Sequence, residues 1–277
     1  MSKLRIAVIG HVEHVTLGRV AAVPAPGEIV HLEGPRWIPG GGGGVAFYQL
    51  LRGTAEIHLF TAIGEDEAGA AVEGRLRETS AHLHLARREA PHTRDLVLVD
   101  PDGERTIVVV GQPLHPTAAD DLPWGRLADM DAVYFTAEDP ETLRRARAAR
   151  RLVVTARRRA CIDAARVNVD VLLGSRSDPR ENAPRSAYDP APGALVLTEG
   201  ERGGTVDDGR PEPARFDAPR HVDASGGSYG AGDSFAGAFT YFLASGDAPL
   251  EAAQRAAAYG AAALAALETL PAQKQLP

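Results

Sequence analysis

The sequence contains a single cysteine, Cys161, among its 277 residues. One cysteine excludes an internal disulfide and a cysteine-based zinc cluster, so a buried, inert thiol is the ordinary interpretation. The chain also lacks an apolar run of membrane-spanning length, and nothing after Met1 has the form of a signal peptide. We therefore expect a cytoplasmic protein.

Basic residues are also fewer than acidic ones. The chain has 30 Lys and Arg against 37 Asp and Glu, which gives a formal net charge of -7 at pH 7. Nucleic acids and anionic membrane surfaces require basic patches on their protein partners, so we expect neither as a partner. The dense basic cluster Arg157, Arg158 and Arg159 is interpreted as the solvated end of a secondary-structure element.

Two familiar phosphate-binding motifs are missing. No G-x-G-x-x-G follows the first apolar run at 4–10, which argues against a Rossmann oxidoreductase. No Gly-Lys-Ser/Thr follows the glycine run at 40–44, which excludes a P-loop. The glycine run instead precedes a predicted helix, where free backbone N–H groups and the absence of Cβ atoms permit close approach of a ligand. A plain flexible turn is the alternative.

The sequence does contain a regular alternation of short apolar runs with helical segments. Runs typical of buried strands occur at 4–10, 57–63, 132–135, 152–154, 169–173 and 194–198. Such alternation implies right-handed βαβ crossovers and a mostly parallel sheet. The length suits one large α/β domain. Asp66 is expected to cap the helix that follows it, and the tail at 270–277 is expected to be unstructured.

Other strand-like segments have no helix between them. They lie at 12–38 and 93–111, and Pro101-Asp102-Gly103 between RDLVLV and RTIVVV is a strong hairpin signal. We expect these segments to form a small β-sheet separate from the parallel one. Edge strands of the main sheet are the alternative.

A glycine-rich loop at 221–241, HVDASGGSYGAGDSFAGAFTY, runs into a helix. Apolar residues at helical spacing follow the loop, so Gly230, Ala231, Gly232 and Asp233 lie at a helix N-terminus. The free N–H groups and the dipole of such a terminus suit an oxyanion or phosphate. Asp233 is then either a helix cap or a general base beside a phosphate.

The segment GAGDSFAGAF resembles the C-terminal signature of the ribokinase-like (phosphofructokinase B type) carbohydrate kinases. The resemblance extends in order over nearly the whole chain. It implies an α/β fold, a three-layer αβα sandwich with a mostly parallel central sheet and a small β-sheet lid. The lid would comprise 12–38 and 93–111 of a single domain spanning 1–277.

The same resemblance implies an ATP-dependent phosphotransferase that phosphorylates a hydroxymethyl group of a sugar or sugar-like alcohol. Asp233 would be the general base, and Gly230, Ala231 and Gly232 with it would form the anion hole. A nucleoside kinase of the same fold is one alternative. A catalytically impaired nucleotide-binding or sugar-binding protein is the other.

Substrate contacts are expected at the carboxyl edge of the sheet and in the lid. The glycine run resembles the family's N-terminal Gly-Gly motif, although its Asn is absent, and Glu13 stands in for the Asp that commonly binds sugar hydroxyls. A solvated Glu13 is the alternative, as is a helix-initiating Glu138 before Pro140. The substrate-binding candidates are Glu13, Gly40, Gly41, Gly42, Gly43, Arg105, Glu138 and Asp233.

The segment T-E-G-E-R-G-G after the strand at 194–198 resembles the family's nucleotide-contacting turn. Tyr259, on an alanine-rich helix, is expected either to flank the adenine or to lie in the core. The ATP-binding candidates are Thr198, Gly200, Gly203, Gly232 and Tyr259.

Two departures from the family concern metal ions. The Asn-x-x-Glu motif that organises water around Mg²⁺ has no counterpart in register, so Asp178 and Glu181 are the substitute candidates. Four extra residues, 226–229, precede Gly-Ala-Gly-Asp where most members have none, which leaves dependence on K⁺ open. The expected partners are ATP with Mg²⁺ and a small sugar or nucleoside, and the lid offers a surface for homodimerisation.

Overall fold

Strands and helices alternate along most of residues 3–277, the part of the chain that the computed structural model describes. The strands are β1 (Arg5–Ile9), β2 (Glu13–Arg19), β3 (Glu33–Gly40), β4 (Glu56–Gly64), β5 (His82–Arg88), β6 (Arg94–Val99), β7 (Arg105–Val110), β8 (Ala132–Phe135), β9 (Leu152–Thr155), β10 (Val171–Ser175), β11 (Ala194–Thr198), β12 (Gly204–Asp207) and β13 (Ala214–Phe216). The α-helices are α1 (Gly41–Leu50), α2 (Glu67–Arg77), α3 (Pro140–Ala146), α4 (Arg159–Ala165), α5 (Ala231–Ser245) and α6 (Pro249–Ala262).

The central sheet has the strand order β13-β12-β11-β10-β9-β8-β1-β4-β5. The strands from β11 to β5 pair in parallel, and β12 and β13 are added in antiparallel fashion at one edge. Interior strands such as β1, β8 and β11 are buried on both faces of the sheet, which explains why they occur as continuous apolar runs in the sequence. The predicted, mostly parallel sheet is confirmed.

Helices cover both faces of this sheet. Phe47 of α1, Leu76 of α2 and Phe239 of α5 belong to a core that includes one face. Leu143 of α3 and Cys161 of α4 belong to the core on the other face. The three-layer arrangement is therefore confirmed, and Cys161 is a buried free thiol as expected. No helix within the described residues is both long and apolar enough to span a bilayer.

A second, small sheet has the order β3-β2-β6-β7 and confirms the expectation from 12–38 and 93–111. Its inner face carries Val15, Leu17 and Val97, which pack against Val45 of α1 and against Tyr229. Packing on α1 fixes this sheet beside the amino end of the helix, where the glycine run lies.

The C-terminal segment departs from expectation, because residues 270–277 are ordered by specific contacts. Gln273 is buried and its Nε2 donates to the Val45 carbonyl at 2.9 Å. Leu276 is also buried, and its N–H donates to the Arg52 carbonyl at 2.9 Å. The prediction of an unstructured tail is therefore wrong, because this otherwise polar segment buries the apolar side chain of Leu276 and hydrogen-bonds to a carbonyl just after the end of α1.

Asp66 caps α2 as predicted, since its side chain accepts a hydrogen bond from the Gly69 N–H at 2.9 Å.

Candidate active site

Four segments of the chain meet at the carboxyl edge of the central sheet. A Cβ placed on Gly42, in the first turn of α1, would lie 3.2 Å from Asp233 Oδ1 and 3.4 Å from Thr136 Oγ1. The same Cβ would lie 3.6 Å from Cε1 of His11. The residues after β1 and β8 therefore lie against the amino ends of α1 and α5. Open α/β sheets bind ligands at this edge.

The first turn of α5 presents backbone donors toward this space. Gly230 is the N-cap, with φ of 75°, and the first intrahelical bond runs from Ser234 N–H to the Gly230 carbonyl at 2.9 Å. The N–H groups of Ala231, Gly232 and Asp233 precede that bond and point out of the helix. Among the described residues, none would come within 4 Å of a Cβ on Gly232, so an anion can reach these donors.

Asp233 is half-buried at the start of this helix. Burial raises its pKa to about 6, Arg105 and Arg157 lower it, and Glu181 raises it further. A carboxyl group that titrates close to neutral pH is suited to accept a proton in the working pH range. Asp233 therefore lies in the first turn of α5 beside these backbone donors and within electrostatic range of Arg105.

His11 follows β1 and makes contact with the glycine run. The Gly42 N–H donates to Nε2 of His11 at 3.1 Å. Burial, with further contributions from His115 and Arg158, holds the pKa of His11 well below its ordinary value. His11 is therefore neutral and positions the first turn of α1 as a hydrogen-bond acceptor.

Arg158 contradicts the interpretation of its cluster as a solvated end. Its side chain is only 12% exposed, and its Nε donates to the Thr136 carbonyl at 2.8 Å. It also forms an ion pair with Glu138, the candidate that follows β8. A 3₁₀ turn directly after β9 points this side chain into the carboxyl edge of the sheet, and the spacing of three consecutive arginines gives no signal of that direction.

Glu13 is the first residue of β2 and is buried, which excludes the solvated alternative. Burial and a hydrogen bond with Asp95 raise the pKa of Glu13 to about 9, and burial also raises the pKa of Asp95. The two carboxyl groups therefore share a proton at neutral pH and carry one negative charge between them. Among the described residues Asp95 Oδ1 is buried and, apart from the proton shared with Glu13, has no hydrogen-bond partner.

The glycine run is placed at the site, but its donors are already used. The Gly41 N–H donates to the Tyr229 hydroxyl at 3.0 Å, and the Gly42 N–H donates to His11. Free N–H groups, which the sequence suggested, are thus not available at these two positions. A Cβ on Gly40 would lie 2.4 Å from the Tyr229 hydroxyl, and one on Gly43 would lie 2.5 Å from the His11 carbonyl. Gly40 therefore permits close packing against the Tyr229 side chain, and Gly43 permits close packing against the backbone of His11.

The four extra residues before the Gly-Ala-Gly-Asp turn connect three parts of the molecule. The Gly226 N–H donates to the Leu264 carbonyl at 2.8 Å, and the Ser228 N–H donates to the Gly103 carbonyl in the β6–β7 turn at 3.0 Å. Arg105 donates to Ser228 Oγ at 3.0 Å, and Tyr229 reaches the glycine run. In the sequence this segment is an interruption of the family pattern, and its lone aromatic residue among glycines is the signal that it packs.

The nucleotide candidates after β11 occupy the same edge of the sheet. Thr198 ends β11, and its Oγ1 donates to the Gly174 carbonyl at 3.3 Å. Gly200 and Gly203 both have positive φ, 61° and 79°, in the turn that follows. A Cβ on Gly203 would lie 2.0 Å from the Phe216 carbonyl, so that glycine is required by packing against β13.

Tyr259 lies in the core rather than on an open surface. Its ring makes an edge contact with Phe242 at 5.5 Å between centroids, and its hydroxyl donates to the Gln275 carbonyl at 3.3 Å. The core alternative for this residue agrees with the structure.

Asp178 and Glu181 were the candidates for holding Mg²⁺, and both carboxylates are engaged by other groups. Arg157 contacts one oxygen of each, at 2.7 and 2.8 Å. Glu181 also accepts from the Ser175 N–H at 2.9 Å, and Arg180 lowers the pKa of Asp178 to about 2. Direct ligation would have to displace these donors, so the two carboxylates do not fit the role of direct ligands.

Solved structures with the same architecture include ribokinase from Thermotoga maritima, which is 20% identical and matches with a TM-score of 0.77 over 98% of this chain and 96% of that one. Ribokinase from Arabidopsis thaliana, solved with ribose and ATP, is 16% identical, with a TM-score of 0.73 over 99% and 96% of the two chains. Adenosine kinase from Sinorhizobium meliloti is 17% identical, with a TM-score of 0.72 over 95% and 94%. The chain has the ribokinase fold.

No protein-family model matches the sequence, and no curated protein matches it either.

Proposed function

We propose that this protein is an ATP-dependent phosphotransferase that phosphorylates a hydroxymethyl group of a sugar or sugar-like alcohol. The observation that carries the proposal is Asp233. Its carboxyl group, with a pKa raised to about 6, stands in a helix turn whose N–H groups point into the same space. A base and an anion-binding turn in one place are the two elements that phosphoryl transfer to an alcohol requires of a protein.

In the proposed reaction the substrate hydroxyl transfers its proton to the Asp233 carboxylate as its oxygen bonds to the γ-phosphorus of ATP. The bond from that phosphorus to the β–γ bridging oxygen breaks, and ADP leaves. The N–H groups of Ala231, Gly232 and Asp233 stabilise the charge that develops on the transferred group. Arg105, which electrostatically favours the ionised form of Asp233, adds positive charge on the side of the small sheet.

The acceptor is proposed to bind between Asp233 and the amino end of β2. The Glu13–Asp95 pair offers an anionic hydrogen-bond acceptor, and Arg158 offers a buried cationic donor. Hydroxyl groups can satisfy both, because each hydroxyl donates and accepts. An anionic acceptor and a cationic donor in one site therefore favour a polyhydroxylated substrate. Solved structures with this fold include both ribokinases and an adenosine kinase, so a nucleoside is the alternative acceptor.

Magnesium is proposed to arrive with ATP, held by the phosphates and by water, since Mg²⁺ commonly keeps several waters and few protein ligands. When bound it would neutralise phosphate charge. Asp178 and Glu181, fixed by Arg157, would then act through water at most.

The test is a panel of sugars, polyols and nucleosides, each incubated with ATP and Mg²⁺ while ADP release is recorded. The proposal expects one chemical class to stimulate ADP release in the wild type and not in Asp233→Asn. Stimulation by nucleosides alone would move the acceptor to the alternative class. Binding of ATP and an acceptor by calorimetry without any turnover would identify a catalytically impaired binding protein instead.

A further inference from the structure

A cluster of three imidazoles and one carboxylate lies at the amino ends of the parallel strands, whereas Asp233 lies at their carboxyl ends. Glu56 and His58 are on β4, His82 and His84 are on β5, and these two strands pair in parallel with His58 opposite His82. Residues two apart on a strand share a face, and paired residues share it too. All four side chains therefore point to one face, near the amino ends of β4 and β5. The candidate active site lies at the carboxyl edge.

Three of these side chains have the spacing of a metal site. The Glu56 Oε1 atom is 3.0 Å from His58 Nε2 and 3.6 Å from His82 Nε2. The ligand atoms of the three residues all lie within 4.8 Å of one another. In a tetrahedral zinc site with bonds of about 2.0 to 2.1 Å, neighbouring ligand atoms are about 3.3 Å apart. The two distances from Glu56 lie on either side of that value, and His82, which is exposed, can move to bring its ligand atom, within 4.8 Å of that of His58, to the same spacing.

The fourth side chain supports this arrangement independently. His58 Nδ1 lies 3.1 Å from His84 Nε2. A histidine that binds a metal through Nε2 ordinarily donates its Nδ1–H to a neighbouring acceptor, which fixes the ring and its tautomer. The 3.1 Å approach gives His58 such a partner at Nδ1, while Nε2 of the same ring faces Glu56 Oε1 at 3.0 Å.

The site is also accessible from solvent. The side chain of His82 is 56% exposed and that of Glu56 is 32% exposed, whereas His58 is buried. Arg126 acts electrostatically on the imidazoles and Arg5 on Glu56, so these two positive charges oppose the binding of a cation. Imidazole nitrogens with one carboxylate suit Zn²⁺, Ni²⁺ or Cu²⁺, whereas Mg²⁺ prefers a set of oxygens.

We propose that Glu56, His58 and His82 bind a divalent transition-metal ion of the zinc type. His84 acts as a positioning residue for His58, and a water molecule takes the remaining coordination position. Because the ligands come from neighbouring strands, the ion joins β5, the edge strand of the central sheet, to β4.

The experiment uses the full chain without added histidines, stripped of metal by a chelator and titrated with Zn²⁺ in a calorimeter at pH 7.5. Wild type should bind one equivalent, and its Tm should rise with Zn²⁺ because a ligand of the folded state stabilises it. His82→Gln and Glu56→Gln should weaken binding by roughly tenfold or more. His31→Gln, which changes an exposed histidine elsewhere, should bind as the wild type does.

Co²⁺ provides a second readout, because its visible spectrum reports coordination geometry. His84→Gln should keep a tetrahedral Co²⁺ spectrum while weakening the affinity by roughly tenfold. The proposal is overturned if the wild type binds no Zn²⁺ at millimolar concentration, or if His82→Gln binds as tightly as wild type. Asp233→Asn should bind Zn²⁺ normally, so the result is independent of the proposed kinase activity.

Discussion

Gly42 of α1 faces Asp233 of α5 so closely that a Cβ on Gly42 would lie 3.2 Å from Oδ1 of that carboxylate. The approach depends on two glycine-rich helix starts that meet at the carboxyl edge of the sheet. Gly42 is held in place by its N–H bond to neutral His11. The space in front of Asp233 is therefore bounded by backbone that carries no side chain, which leaves room for a substrate hydroxyl.

Gly42→Ala should obstruct the acceptor site. The added methyl group would occupy the space next to Oδ1 of Asp233, so KM for the acceptor should rise steeply. ATP affinity without acceptor should stay unchanged. Steady-state kinetics and calorimetry with one accepted substrate measure both quantities. The matched control is Gly74→Ala on the exposed face of α2, which should leave the kinetics unchanged and add about 1 kcal/mol of stability. Equal kinetics in both variants would remove the glycine run from the acceptor site.

The activity should depend on pH through Asp233. The base must be ionised, and burial raises its pKa to about 6, so kcat/KM should fall as pH drops through that value and level off above it. Arg105 lowers this pKa, so Arg105→Gln should move the acid limb to higher pH. Arg36→Gln, which changes an exposed arginine of β3 in the same small sheet, should leave it in place. If the acid limb of kcat/KM lies at the same pH in Arg105→Gln as in the wild type, a group other than Asp233 titrates.

The Glu13–Asp95 pair should tolerate single changes better than a double change. At neutral pH the two carboxyl groups share one charge, so Glu13→Gln leaves the charge on Asp95, and Asp95→Asn leaves it on Glu13. The double variant has no charge left. Losing a charged acceptor should then lower kcat/KM by roughly tenfold to a hundredfold. A double-mutant cycle measures this coupling, and purely additive effects would show that the carboxyl groups act separately.

Homodimerisation is expected through β7. This strand is an edge of the small sheet, and all six of its residues are exposed, including Ile107, Val108, Val109 and Val110. An unpaired edge with apolar side chains on both faces favours pairing with another strand, here that of a second copy. Light scattering should give twice the chain mass for the wild type and a monomer for Val109→Lys. A monomeric wild type at high concentration would contradict the prediction.

The sequence predicted the interior strands of the central sheet because those strands are buried on both faces, whereas β5, β12 and β13, at or next to its edges, were not predicted. The strands at 132–135 and 194–198 have the predicted bounds, since each is a short apolar run between turns. The direction of the Arg158 side chain, in the turn after β9, could not be predicted from the sequence, because only tertiary packing decides that it points inward. The proton shared by Glu13 and Asp95 depends on two segments that are distant in the chain and adjacent in the small sheet. Local patterns carry no information about such a pair.

The most direct test of the account is phosphoryl transfer in Asp233→Asn, measured in a single turnover with ATP in excess over the acceptor. Asn keeps the shape of the side chain but cannot accept a proton, so the rate of transfer should fall by roughly 10² to 10⁴. Tm and ATP affinity should stay close to wild type. Transfer at the wild-type rate in the Asn variant would contradict the assignment of Asp233 as the general base.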